Sequence, residues 1–318
     1  MQWVEPVPRI PQIIANSIIY LYPDRLEAES GTVFGGSGFL LAIQSGEFHG
    51  EIQPTMPAHI YAVTNKHVVE GNDGAPVVRA NLRHQSSGLE RTYSFEFKES
   101  DWVMDPDHDL AVCPLPPDFD MVILESTVIP SSFLVTEKEW REKDIGPGDE
   151  VVYVGRFMDH AGKYENMPSV RFGNISMNPS DLEPVEYETD SGQKRKQVGF
   201  LVEARSRSGY SGSPVFFLHQ HVVNNPRAVW PPIDMRLLGI DWGHLPERVM
   251  LKDPERRLHG SKWFVEVHAG MMGVVPAWFL LDFLNTSPRL IEQRKRDDEY
   301  YAAHHVTGVP VGEKREAV

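Results

Sequence analysis

The sequence predicts an all-β molecule, two six-stranded antiparallel β-barrels in tandem followed by C-terminal helices, and three observations predict it. Short apolar, β-branched or aromatic runs recur between Gly, Pro, Asn and Asp; these runs fall into two series of about six; and helix-forming composition appears only near the end of the chain.

The first series is "SIIYLY" (17–22), "GFLLAI" (38–43), "IYAVTN" (60–65), "VVRANL" (77–82), "TYSFEF" (92–97) and "LAVCPL" (110–115). The second is "EVVYVGRF" (150–157), "VRFGNISM" (170–177), "VGFLVEA" (198–204), "PVFFL" (214–218), "RLLGIDW" (236–242) and "WFVEVHAGMMGVV" (263–275). A Pro-rich, acidic stretch from about 116 to 147 lies between them, so residues 1–125 are assigned to the first barrel, 126–147 to the linker and 148–276 to the second barrel. "PAWFLLDFLNTS" (276–287) opens on Pro and is amphipathic, and "PRLIEQRKRDDEYYAAHH" (288–305) carries charges at three- and four-residue spacing; residues 277–305 are expected to be helical. The second helix is expected at the surface, packed across the second barrel or against a regulatory partner, and the tail 306–318 is expected to be frayed.

Composition narrows the function. With 31 basic and 45 acidic residues the net charge is −14, which argues against a general nucleic-acid binder, since such proteins need excess cations to displace phosphate counterions. No apolar run is long enough to span a membrane, and "MQWVEPVPRIPQ" lacks the pattern of a secretion signal, so a cytoplasmic protein without membrane contact is expected; the processed form of an exported protein would look the same. The single cysteine, Cys113, sits in an apolar run and reads as a core residue with no internal disulfide. No cofactor is expected. The cluster Asp105, Asp107, His108, Asp109 and the pair His304-His305 lack metal-ligand spacing.

"SGYSGSPVF" (208–216) sets a serine between glycines ahead of an apolar strand. Alone it reads as an ordinary turn. His67, where "IYAVTN" runs into "KHVVEG", reads alone as a satisfied polar residue at a strand end; Asp109, before "LAVCPL", reads alone as a strand-start residue. Together the three have another meaning. A hydroxyl nucleophile needs a base to take its proton and a third group to hold the base's tautomer, and His67, Asp109 and Ser211 supply those groups in the chain order His, Asp, Ser. Separations of 42 and 102 residues put His67 and Asp109 in the first strand series and Ser211 in the second, so the site would lie between the barrels.

The motifs "GSGFLL" (36–41), "VTNKHVV" (63–69), "DLAVCPL" (109–115), "GYSGSPV" (209–215) and "LLGIDWG" (237–243) make the chain resemble the chymotrypsin-fold, trypsin-like serine peptidases, and within them the bacterial peptidase domains related to the HtrA family. The resemblance implies a serine endopeptidase acting on protein or peptide substrates, with His67 as general base and acid, Asp109 orienting it, Ser211 as nucleophile, and the N–H groups of Gly209 and Ser211 as the oxyanion hole. It also implies that Asp241, Trp242 and Gly243 line the substrate groove. Asp241 departs from the small polar residue usual there; it either holds His67 charged or faces solvent. Six residues before the nucleophile stands Arg205 in place of trypsin's aspartate, which disfavours a preference for Lys or Arg; Arg205 either selects acidic side chains or is a solvated surface residue. Only about 30 residues follow position 287, too few for the PDZ module of HtrA proteins. Segments 44–58 and 83–90 are candidate rim insertions. The competing reading is a latent or inactive peptidase fold that recruits, or is activated by, a partner.

Overall fold

In a computed structural model of the chain, the described residues are 10, 12–31, 35–45, 57–72, 74, 76–82, 91–119, 128–188, 194–204, 209–220, 233–250 and 264–304. Arg205, His305, the tail 306–318, segment 83–90 and most of 44–58 lie outside them.

The expected strands form, with shifted ends, and four short strands that were not expected, Val103–Met104, Ile129–Pro130, Val185–Glu188 and Lys194–Gln197, join them. In the first half these are β1 (Ile18–Tyr22), β2 (Ser37–Gln44), β3 (Ala58–Thr64), β4 (Val77–Asn81), β5 (Thr92–Phe95), β6 (Val103–Met104) and β7 (Ala111–Pro114). In the second half they are β9 (Glu150–Gly155), β10 (Ser169–Met177), β11 (Val185–Glu188), β12 (Lys194–Gln197), β13 (Phe200–Ala204), β14 (Pro214–Gln220), β15 (Ile233–Met250) and β16 (Phe264–Pro276). The second half closes as expected, into a six-stranded barrel ordered β10-β13-β16-β15-β14-β9. The first half differs: its described strands form one eight-stranded sheet, β5-β4-β1-β2-β3-β7-β6, whose eighth member, β8 (Ile129–Pro130), pairs parallel to β2. The hairpin β11–β12 pairs only with itself among the described strands and stands beside the closed barrel.

The strand sequences read as continuous apolar runs because both of their faces are buried. In β1, Ile19 and Leu21 join one cluster with Leu40, Ala62 and Cys113, while Tyr20 and Tyr22 face the opposite way into a second cluster with Phe39 and Tyr61. In β9, Val151 and Tyr153 fill the barrel interior while Val152 and Val154 point into that same second cluster. The period of two thus sorts one run into two cores. The second cluster, continued by Phe216, Ile240, Leu280 and Leu290, ties the halves and the C-terminal helices together. Each such side chain, fully buried, contributes about 1.5–3 kcal/mol relative to exposure. Cys113 is a buried free thiol whose pKa burial pushes well up, so it stays protonated.

The described part of the expected linker, 128–147, is folded. After β8, Leu134 bridges to Leu237 of β15, and the Val135 N–H donates to the Leu237 carbonyl at 2.9 Å, so this segment pairs with both halves. Thr136 then caps the helix Glu137–Glu142: Glu139 N–H donates to Thr136 Oγ1 at 3.1 Å while Thr136 N–H donates to Glu139 Oε2 at 3.2 Å. Trp140 of that helix stacks on Trp278 with centroids 5.1 Å apart.

Trp278 belongs to the first C-terminal helix, Ala277–Thr286, and the second runs over Pro288–Ala303. The second helix does not lie across the barrel, as one expectation had it, but against β3 of the first half. Arg294 Nη1 donates to Tyr61 Oη at 3.2 Å, Tyr301 Oη donates to the Ala58 carbonyl at 3.1 Å, and buried His59 sits between Asp297 and Asp298. The reason is chemical: β3 presents buried hydroxyl and imidazole groups that need polar partners, and this helix carries them. No helix among the described residues is long and apolar enough to cross a membrane.

Candidate active site

β3 ends at Thr64, and a short helix, Lys66–Glu70, begins at once, so His67 stands on the first turn beyond the sheet with its side chain 36% exposed. Asp109 precedes β7, which pairs with β3, and the pairing Thr64↔Ala111 brings the two residues alongside. The His67 Nδ1 is 2.6 Å from Asp109 Oδ2, and the His67 main-chain N–H donates to Asp109 Oδ1 at 3.0 Å. Asp109 is almost fully buried. A carboxylate there accepts only from donors, so Nδ1 carries a proton and the lone pair of neutral His67 lies on Nε2.

The main chain of Asp109 is held as firmly. Asn65 Nδ2 donates to its carbonyl at 2.9 Å, and its N–H donates to Gln197 Oε1 at 3.0 Å. The acidic residues before it build a turn: Asp105 Oδ1 accepts from the N–H groups of Asp107 and His108, both at 2.8 Å. No metal-binding cluster of His, Cys, Asp or Glu occurs among the described residues. His108 stacks face to face on Phe279 with centroids 3.9 Å apart. Burial lowers its pKa against the opposing pull of Asp105, Asp107, Asp282 and Asp181, which favours the neutral ring.

Ser211 lies in the turn before β14. Gly209 and Gly212 on its two sides have φ of 97° and 88°, the left-handed region that glycine enters without cost. At Gly212 space also excludes a side chain, since a Cβ would stand 2.0 Å from the Ser37 carbonyl oxygen. Main-chain bonds fix the loop. Ser213 N–H donates to the Tyr210 carbonyl at 2.8 Å, which in a trans peptide turns the Ser211 N–H the opposite way. Ser211 itself is partly exposed.

Ser37, at the start of β2, joins the two sides. Its N–H donates to the Ser211 carbonyl at 2.8 Å and its Oγ donates to the Gly209 carbonyl at 2.7 Å. Its own carbonyl accepts from Thr64 Oγ1 at 2.8 Å, three residues before His67, and its Oγ accepts from the Arg156 N–H at 2.8 Å. The first half and the nucleophile loop therefore meet on one residue. The motif "GSGFLL" held Ser37 in plain sight, but its several bonds become visible only in three dimensions.

Of the three residues expected in the groove, Gly243 lies close to Ser211: a Cβ built on it would stand 3.9 Å from Ser211 Oγ. Asp241 does not face solvent. It is fully buried, its Oδ1 accepts the Gly243 N–H at 2.7 Å, and its main chain bonds Gly212 and Ser213, both at 2.9 Å. Trp242 is also buried, its ring 6.0 Å from that of Tyr187.

The sequence pattern described as "Trypsin-like peptidase domain" matches residues 36–223. Among solved structures, the active form of the Rv3671c protease from M. tuberculosis is 15% identical, with 90% of this chain and 95% of that chain covered at a TM-score of 0.45. The inactive form of the same protease is also 15% identical, with 87% and 91% covered at a TM-score of 0.42. No curated protein matches the chain. The matched segment takes in more than half of the 318 residues, together with the histidine, aspartate and serine motifs, and the chain belongs to the trypsin-like peptidase domain family.

Proposed function

We propose that the protein is a serine endopeptidase in which Ser211, His67 and Asp109 act together. The observation that carries this reading is the single junction at Ser37: it bonds the Ser211 loop and the end of the strand that leads to His67, while His67 already holds Asp109 at 2.6 Å. In the reaction, Ser211 Oγ attacks the scissile carbonyl carbon as its proton passes to His67 Nε2. The imidazolium so formed is stabilised by the Asp109 carboxylate and returns the proton to the leaving amine. Water then attacks the acyl carbon as it gives a proton to the same nitrogen, and His67 passes that proton to Ser211 Oγ as the acyl–oxygen bond breaks. The carbonyl oxygen, negative in both tetrahedral stages, receives the N–H groups of Gly209 and Ser211; losing one such donor costs about 3–4 kcal/mol. Substrate would run along Gly243, with Asp241 and Trp242 supporting that wall. The finer reading of the fold, two barrels flanking the site, goes with this assignment.

The test is labelling by a fluorophosphonate probe, which needs an activated serine. Wild type is expected to be labelled, and Ser211→Ala and His67→Ala are not. A folded wild-type protein that resists the probe would overturn the assignment of an active enzyme.

A further inference from the structure

We propose that Gln197, from the hairpin beside the second barrel, is a positioning residue for the His67–Asp109 pair. The inference rests on the reading of that pair as catalytic. Gln197 is 3% exposed, and a buried side-chain amide has to find hydrogen bonds on both its oxygen and its nitrogen. Its orientation is determined by its partners. The Asp109 N–H can only donate, so the group facing it at 3.0 Å is Oε1. Nε2 therefore faces His108 Nδ1 at 3.1 Å and the Val198 carbonyl at 2.9 Å, and because an amide NH₂ only donates, His108 offers a lone pair at Nδ1 and carries its proton on Nε2.

The consequence for Asp109 follows from where its bonds originate. Its carbonyl is held by Asn65, and its carboxylate by the N–H and Nδ1 of His67, all from the first half. Gln197 pins the remaining main-chain group, and it belongs to the half that carries Ser211. With the peptides on either side of Asp109 both anchored, few torsions are left to move the carboxylate away from His67. The hairpin takes a second grip on the same region through Arg195, whose Nη2 lies 3.4 Å from Glu70 Oε2 on the helix that carries His67. An open cavity of about 200 Å³ adjoins this junction, bordered by Lys66, Asp107 and Tyr187 as well as by Gln197.

Without the bond to Gln197, the 108–109 peptide keeps the bond from the Leu110 N–H to the His108 carbonyl at 2.8 Å but loses its anchor to the hairpin, the Asp109–His67 contact lengthens, and the protonated imidazole loses support. Gln197→Met keeps the length of the side chain and removes its hydrogen bonds; Gln197→Glu keeps an acceptor for the Asp109 N–H. Two readouts separate the questions: the rate of fluorophosphonate labelling, and the titration of the His67 ring followed by NMR in protein with 15N-labelled histidine, assigned by its absence in His67→Ala. Gln197→Met is expected to label about ten-fold more slowly and to titrate His67 about one pH unit lower, as the loss of one hydrogen bond would cause. Gln197→Glu is expected to titrate His67 at or above the wild-type pH and to label within a few-fold of wild type. A folded Gln197→Met protein with wild-type His67 titration overturns the proposal. Should that variant fail to fold, a Gln197→Glu protein whose His67 titrates a full unit low overturns it instead. If wild type is not labelled while its His67 titration shifts in Gln197→Met, the active-enzyme reading fails and the positioning role stands.

Discussion

The two sides of the candidate site are held by different means. The His67–Asp109 side is a lattice of side-chain bonds: Asp109 to His67, Asn65 to Asp109, Gln197 to Asp109. The Ser211 side is held through the main chain, by glycines at positive φ and by carbonyls bonded to Ser37 and Ser213. The difference matches what each side would do in the proposed reaction. A base must keep one tautomer and one orientation while its charge changes, which calls for directed side-chain partners. An oxyanion site must present unencumbered N–H groups, and the backbone supplies those when its path is constrained. Damage to the first side should therefore lower the rate in a protein that still folds, and damage to the second should reach the fold itself.

Three substitutions probe that contrast. Asp109→Asn leaves shape and most bonds in place but lets His67 take the wrong tautomer, so labelling of Ser211 is expected to slow by about 10⁴-fold, the magnitude known for such a change in a serine protease. Unfolding by urea should shift little beside that loss; a variant that labels normally would break the assignment of Asp109. Gly212→Ala places a methyl group 2.0 Å from the Ser37 carbonyl oxygen at a φ of 88°. Strain of that kind costs about 1–3 kcal/mol before the clash is relieved, and the urea midpoint should fall accordingly along with labelling. An unchanged midpoint would show that the loop is not the rigid main-chain element described.

The smallest effect concerns pH. His108 is held neutral by burial, so its folded pKa lies below the ordinary value of 6.5. For a histidine with a depressed pKa, the unfolded chain takes up the proton first as the pH falls. Stability from this residue is thus complete above about pH 6.5 and declines as the pH drops below it toward the folded value. Urea midpoints measured between pH 7.5 and 5 are expected to fall less steeply in His108→Asn than in wild type. Equal slopes would mean that the contact with Gln197 does not depend on a neutral ring.

Much of this arrangement was legible in the residues. Strand runs such as β1 and β9 were legible because both of their faces are buried, and the serine turn because only glycine tolerates the backbone path at Gly209 and Gly212. Less legible were β6 and β8, which are only two residues long, and the hairpin β11–β12, whose four-residue strands are mostly polar, so none of them forms an apolar run. The long helix was recognised but not its site of docking, since its partners on β3 are single polar residues scattered through another strand. Gln197 gave no signal at all: a glutamine after three charged or polar residues looks like surface until its amide is seen to meet Asp109.

By itself the sequence determined the all-β class, the two strand series, and the order in which histidine, aspartate and serine follow one another, because periodicity, turn chemistry and residue type are local properties of a chain. Only the tertiary structure decided that the described strands of the first half join in one eight-stranded sheet, that Asp241 turns inward, and that Ser37 and Gln197 cross between the halves. Those are matters of which distant groups satisfy one another once water is excluded, and partners 88 or 172 residues apart leave no mark in the stretch around either.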